Sequence, residues 1–330
     1  MNDSPPHAMG SVQPGGGAGA LLARVFGRVR RAWLRTFRPG YVAAMARRRV
    51  RACPRCVHDV VDGRDLVWVQ NVCGVRFPPE DTVSPFRDRF GLVRLGRPEL
   101  LLAACASVLL GFGLACVSTW LLAAGLVPLA FTAWFLRDPD RRPPAAPDVV
   151  LAPADGVLDD VREEPVSPFG TGPALRIGIY LSVFDVHVQR APSAGRIVSS
   201  TYHPGPCVPT WRRGQTDGNA HTRTTWADAV GRVVQVRQIA GPFASRVVSV
   251  VRVGDELAAG ERFGMIKFGS RCELWLPVAQ AARLLVQRGQ RVRAGETVLL
   301  VSATVPEPAQ VPAGGNVPMQ CSVTTSPRSK

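Results

Sequence analysis

Hydrophobic and polar positions divide this chain into three kinds of segment. Residues 100–136 form an apolar run without a single charged side chain. One helix needs only about 20 residues to cross a bilayer, so the run predicts two closely spaced spans, broken around residues 111–118 and kinked at Pro128; a shallow re-entrant hairpin fits the same pattern. It begins too far into the chain for a secretory signal, and the remaining alternative is a pair of core helices in a soluble protein. Upstream, Leu21, Leu22, Val25, Phe26, Val29, Trp33 and Leu34 fall at helical spacing with arginines between them. Residues 21–37 therefore read as a basic amphipathic helix, suited to an anionic bilayer surface or to the protein's own flank. Downstream, short apolar or alternating runs recur at 177–181, 232–236, 247–253, 274–276 and 297–301, the signature of a mostly β region over about 145–303.

A weak repeat lies inside the β region. Gly254-Asp255-Glu256-Leu257-Ala258-Ala259-Gly260-Glu261 matches Gly289-Gln290-Arg291-Val292-Arg293-Ala294-Gly295-Glu296 at an offset of 35. The pattern resembles the turns of lipoyl- and biotinyl-carrier half-barrels. The expected fold is therefore a mainly β (α+β) domain, a barrel or sandwich with carrier-like half-barrel repeats, preceded by an α-helical membrane hairpin. A carrier domain is a rival reading. It needs a lysine on its exposed hairpin, and Lys267 is the one candidate.

Composition narrows the partners. The net charge of +15 favours nucleic acid or an anionic membrane. No nucleic-acid motif or aromatic-basic interleaving is present, so anionic lipid is expected and nucleic acid is not. Basic residues flank the apolar run on both sides, at Arg89, Arg94 and Arg97 and at Arg137, Arg141 and Arg142, which places both flanks in the cytoplasm at the cell (inner) membrane. Lys267 and Lys330 are the only lysines among 40 basic residues. The eight cysteines do not suggest a secreted disulfide framework. Cys53, Cys56, His58 and Cys73 form an incomplete zinc-type pattern that leaves metal binding there open.

Three segments carry candidate chemistry. In Phe263-Gly264-Met265-Ile266-Lys267-Phe268-Gly269-Ser270-Arg271, a serine hydroxyl directly follows a glycine whose carbonyl no side chain shields. Asp155 sits on the Pro/Gly-punctuated turn Pro153-Ala154-Asp155-Gly156, and His187 ends a strand-like run. An Asp, a His and a Ser are the parts of a nucleophile-activating relay. Singly, Asp155 also reads as a turn residue and His187 as a core histidine. Spacing alone leaves a hydrolase and a self-processing enzyme equally open.

Together these segments resemble the phosphatidylserine decarboxylase proenzymes, most closely their short, archaeal-like branch. The resemblance rests on Pro153-Ala154-Asp155-Gly156, on Phe184-Asp185-Val186-His187-Val188-Gln189-Arg190-Ala191-Pro192 with Gly195-Arg196, on Arg237-Gln238-Ile239-Ala240-Gly241, and on residues 264–271. Phe135-Leu136-Arg137-Asp138-Pro139-Asp140-Arg141 matches too. It implies that the chain is cut at Gly269-Ser270 and that Ser270 becomes a pyruvoyl cofactor, with Asp155 and His187 assisting. The processed α and β chains stay together as a heterodimer, and a higher oligomer is left open. It also implies a carboxy-lyase that converts phosphatidylserine to phosphatidylethanolamine through a Schiff base, with His187 as general acid and no catalytic metal.

Two departures stand out. The longer bacterial branch has a second histidine where Arg190 stands, and the 212–225 stretch keeps only Asn219 of the family's pattern. His203 and His221 are further candidates, read as loop histidines. The expected organisation is a disordered 1–20, a basic region 21–97 with an amphipathic helix and cysteine cluster, a two-helix membrane hairpin 98–137, a catalytic domain 138–303 and a disordered tail 304–330.

Overall fold

The computed structural model describes residues 7–8, 18–52, 58–67, 73–170, 172–209, 216–241, 246–267 and 270–303. The expectations of disorder at the termini, and those for Cys53, Cys56 and Gly269, fall wholly or largely outside them. Of the remaining cysteine-cluster residues, Cys73 is buried beside Met45, Val60, Leu66, Val75 and Phe77.

Near the N-terminus lie α1 (Ala18–Phe37), α2 (Pro39–Arg47) and the short α3 (Gly63–Leu66). Three arginines of α1 are ion-paired with this region: Arg30 with Asp62 and Asp65, and Arg31 and Arg35 with Asp59. Its Leu21, Phe26, Val29 and Phe37 are exposed instead. Of the two readings of this helix, these ion pairs favour the protein's own flank for Arg30, Arg31 and Arg35. These arginines are engaged by carboxylates, and much of the apolar face is exposed, with Leu34 buried.

Small residues shape the apolar run. α4 (Arg97–Ala115) opens with Pro98, whose missing N–H costs nothing there, and Glu99, whose charge suits a helix N-terminus. Ala103, Ser107 and Gly111 recur every four residues and are buried, while Leu109 and Phe112 stay exposed. That stripe admits a close return leg. The leg is a 3₁₀ stretch, Thr119–Leu126, continued by α5 (Val127–Phe135). Ser107 Oγ accepts the Leu129 N–H at 3.0 Å, a donor that the first turn of α5 otherwise leaves free. The Leu136 carbonyl then accepts the Val93 N–H at 2.9 Å, so the hairpin begins and ends in one place. Among the described residues one segment, Arg94–Ala115, is long and apolar enough to cross a membrane. The second full helical span is not formed, because half of the return leg is 3₁₀ and α5 has only nine residues.

In chain order the strands are β1 (His7–Ala8), β2 (Val149–Leu151), β3 (Gly156–Glu164), β4 (Ala174–Leu181), β5 (Val188–Arg190), β6 (Gly195–His203), β7 (His221–Ala227), β8 (Val233–Ala240), β9 (Arg246–Ser249), β10 (Glu256–Leu257), β11 (Arg262–Lys267), β12 (Ser270–Pro277), β13 (Ala281–Leu284), β14 (Arg291–Val292) and β15 (Val298–Ser302). They build three antiparallel sheets. The largest joins nine strands in the open order β1-β6-β7-β8-β12-β4-β3-β14, with β10 beside β6; the others are β5-β11-β9 and β13-β15-β2. The main core lies between them, where Leu158, Ile177, Val236 and Leu274 of the large sheet pack with Phe263, Leu299 and Val150 of the small ones. The mainly β expectation is met by these packed layers, and the large sheet runs as an open path.

The repeat is real in three dimensions. β10 and β14 occupy equivalent places in its two copies, and each copy closes on a left-handed glycine, Gly260 at φ 75° and Gly295 at φ 72°. The two glycine turns touch: a Cβ on Gly295 would lie 3.2 Å from Gly260 Cα and 2.9 Å from Arg190 Cδ.

Candidate active site

The chain changes sheets where the reactive bond was expected. β11 belongs to the small sheet with β5 and β9, and β12 belongs to the large sheet between β4 and β8. Only residues 268 and 269 separate them, and Ser270 is the first residue of β12, opposite Leu181 on one side and Ala240 on the other. Ser270 is fully buried, and its Oγ has no hydrogen-bond partner among the described residues. A buried hydroxyl without a partner loses water's hydrogen bonds and regains none, a cost that the fold carries at this position.

Two ties link His187 to the strands that flank this crossing. Leu181, the register partner of Ser270, leads into the turn that ends at His187. In that turn Asp185 Oδ2 accepts from the Ser182 N–H and hydroxyl at 2.8 and 2.7 Å. The His187 carbonyl accepts the Ile266 N–H, four residues before Ser270, at 3.2 Å. The ring packs on Phe135 at 4.2 Å between centroids. Nδ1 lies 2.8 Å from the Asp185 carbonyl oxygen, which only accepts; Nδ1 therefore carries the proton and Nε2 is the bare base. Burial pushes the imidazole down to about 4, so it is neutral near pH 7. Nε2, like Ser270 Oγ, has no partner among the described residues. As a general acid, His187 must first acquire a proton.

Asp155 and His187 share no hydrogen bond among the described residues. Its two oxygens accept from Arg141 at 2.7 Å and from the Ala294 N–H at 2.7 Å, and the imidazole is oriented by the Asp185 backbone instead. Burial pushes the Asp155 carboxyl up, with Arg141 opposing. Gly156 follows it at φ 153°, where a Cβ would fall 2.2 Å from the Tyr180 carbonyl, which explains the glycine of that motif. Asp155 lines an open cleft of about 540 Å³ with Arg137, Arg141, Phe184, Asp185 and Arg291. Arg141 pairs with Asp155 and Glu296, and Arg291 with Asp185. Among the described residues the Arg137 side chain donates to the Trp134 and Phe184 carbonyls and stacks on Trp134. A larger hollow of about 650 Å³, lined by Phe86, Arg190 and residues 255–262, touches none of Ser270, His187 or Asp155.

The other candidates are structural. Arg190 is committed to Asp138 at 2.9 Å and to the Pro139 and Gly260 carbonyls, so it does not stand in for a second histidine. His203 and His221 are strand residues rather than loop residues. They face each other across β6 and β7 with rings stacked 4.7 Å apart, and His221 is pushed down to about 3 by burial and the Arg237 charge. Asn219 spends its amide on the Val208 and Ala240 carbonyls, bracing the strand beside Ser270. Burial pushes the neighbouring Cys272 thiol up, which removes it as a rival nucleophile. The spacing of residues could not have revealed the Asp185 carbonyl, because a backbone acceptor carries no side-chain signal.

A buried serine that opens a strand at a sheet crossing, with a neutral imidazole tied to the strand before it, has the parts of a serine-centred enzyme site. Comparison with known proteins makes the class specific. A sequence profile of the phosphatidylserine decarboxylase family matches residues 129–300. The chain is 40% identical to a phosphatidylserine decarboxylase proenzyme of Rhodopirellula baltica over 225 residues, covering 66% of this chain and 92% of the relative. A proenzyme of the same name from Symbiobacterium thermophilum is 42% identical over 181 residues, 54% of this chain and 83% of that one. One from Mycobacterium tuberculosis is 38% identical over 214 residues, 63% and 92%. The chain belongs to the phosphatidylserine decarboxylase family.

Proposed function

We propose that this chain is a proenzyme that cuts itself between Gly269 and Ser270 and then decarboxylates phosphatidylserine to phosphatidylethanolamine with a pyruvoyl group made from Ser270. The observation that carries the reading is the buried, unpartnered Ser270 Oγ at the two-residue crossing between sheets. The neutral His187 Nε2 takes the Ser270 proton, and Oγ adds to the Gly269 carbonyl carbon. The amide C–N bond breaks as the nitrogen of residue 270 is protonated, leaving an ester. Loss of the Ser270 Cα proton then expels Gly269 as a carboxylate, and water replaces the nitrogen as ammonia, leaving a pyruvoyl group at the new N-terminus. The buried site suits that group, whose carbonyl supplies an electron sink when carbon dioxide leaves. His187, having gained a proton, returns it to carbon.

The cleft beside Asp155 suits the anionic headgroup. Arg137 has no carboxylate partner among the described residues, and it follows the apolar α5, whose Trp134 is exposed, at the depth where lipid headgroups lie. In this reading residues 98–137 anchor the 138–303 catalytic domain at the cytoplasmic face of the cell membrane, and the α and β chains remain together through the sheets they share.

Intact mass of the purified protein beside its Ser270→Ala variant tests the reading. Two chains from the wild type, one ending at Gly269 and one beginning with pyruvoyl at position 270, and one chain from the variant are expected. A single uncut chain in folded wild-type protein overturns it.

A further inference from the structure

The geometry points to Lys267 and Glu99 as a positioning pair through which the membrane hairpin controls self-cleavage; the inference rests on the pyruvoyl reading above. Lys267 is the last residue of β11 and is fully buried. Its Nζ donates to the Leu95 carbonyl at 2.8 Å and to Glu99 Oε1 at 2.8 Å. Leu95 precedes α4, and Glu99 lies in the first turn of α4. The final side chain before the reactive crossing is thus gripped by the base of the hairpin, 168 residues away in sequence. Charge placed at the edge of an apolar helix and removed from water is costly unless it is paired, so this ammonium favours the docked hairpin over any arrangement in which Glu99 is elsewhere.

The same corner holds the base. Phe135 and Leu136, at the far end of the hairpin, share one buried cluster with Leu95 and with Met265 of β11, and Phe135 carries the His187 ring. Docking of the hairpin therefore sets both partners of the reaction: the strand end that presents Gly269-Ser270, through Lys267, and the imidazole, through Phe135. A chain whose hairpin has not yet docked has neither in place and remains uncut. The cleavage follows membrane insertion, and the lysine that a carrier domain would have exposed is here a buried latch.

The test is a time course of cleavage, followed by intact mass, of full-length protein synthesised into phosphatidylcholine nanodiscs. Glu99→Gln and Lys267→Met are expected to cut about 100-fold more slowly than wild type, the scale set by misplacing reacting groups by about 1 Å. The double variant is expected to be no slower than the slower single one, since either change alone already breaks the pair. Leu299→Ala, in the core away from the hairpin, supplies a stability-matched control that retains the wild-type rate. Folded single variants that cut at the wild-type rate overturn the inference, as does slowing equal to that of the control or additive slowing in the double variant. Wild type that never cuts overturns the pyruvoyl reading itself, which keeps the two failures apart.

Discussion

Ser270 and Glu273 are three residues apart on β12, both fully buried, and opposite in what surrounds their oxygens. Glu273 points to the face away from the core, where Arg176, Arg271 and Arg237 converge on it and Trp275 Nε1 donates at 3.2 Å. Burial alone would push its carboxyl up; the three guanidinium groups outweigh that and hold it below its usual range. Ser270 has no hydrogen-bond partner for its hydroxyl among the described residues, and the imidazole delivered to its neighbourhood has a bare Nε2. A buried charge surrounded by partners is architecture, because removing any member strands the others. A buried hydroxyl and a buried base, both without partners, are capacity kept in reserve for a reaction.

That contrast can be broken by mutation, and the largest effect falls on the side without partners. Ser270→Ala removes the only atom that can attack Gly269 and should abolish cleavage entirely, with no loss of thermal stability. His187→Ala should slow cleavage by about 10²–10⁴, the contribution of a positioned general base, measured as the rate of chain splitting in freshly made protein. Glu273→Ala should do the reverse. It leaves three arginines around an empty place and should cost about 3–5 kcal/mol in denaturant unfolding, while the fraction that folds still cuts itself. Glu273→Ala protein that is folded and stable but uncut would erase the distinction between the two patches.

Acidity sharpens it further. His187 titrates near 4 in the folded chain and near 6.5 unfolded, so the unfolded state binds more protons between those values. Stability is complete above about pH 6.5 and declines as pH falls toward 4, by about 3 kcal/mol from this residue. His187→Gln should flatten that part of the stability profile. The cleavage rate should hold through pH 6 and fall with a midpoint near 4; a midpoint near 6.5 would mean the base is solvated. The smallest effect is expected of Trp275→Phe, which removes one of several donors to Glu273 and should cost about 1–2 kcal/mol in thermal unfolding with no change in cleavage.

Much of this was legible along the chain, and the illegible part has a common cause. Alternation predicted the β region, and β12 obeys it: Cys272, Leu274 and Leu276 enter the core while Arg271, Glu273 and Trp275 take the other face. The apolar run predicted a hairpin, and the 35-residue repeat marked two turns that do touch. Hydrophobic periodicity did not reveal that half of the return leg would wind as 3₁₀, because a uniformly apolar sequence has no moment to distinguish one helix type from another. It also left the arginines of α1 open between lipid and the protein's own flank, because their partners Asp59, Asp62 and Asp65 lie about 30 residues downstream.

The sequence by itself determined the chemistry on offer: a Gly-Ser bond, a histidine and an aspartate, in an order that places the chain in its family. It did so because reactive groups and turn glycines are properties of single residues and short motifs. Only the tertiary structure decided which of them meet. It gave Asp155 to Arg141, oriented His187 by a backbone carbonyl, set Arg190 against Asp138, and turned the conspicuous Lys267 toward Glu99. It also distributed the Phe135–Arg141 stretch over the site, with Phe135 under the imidazole, Arg137 at the cleft, Asp138 between Arg190 and Arg262, and Arg141 on Asp155. Those pairings depend on burial, which raises the cost of an unmatched charge, and burial exists only once distant segments have packed.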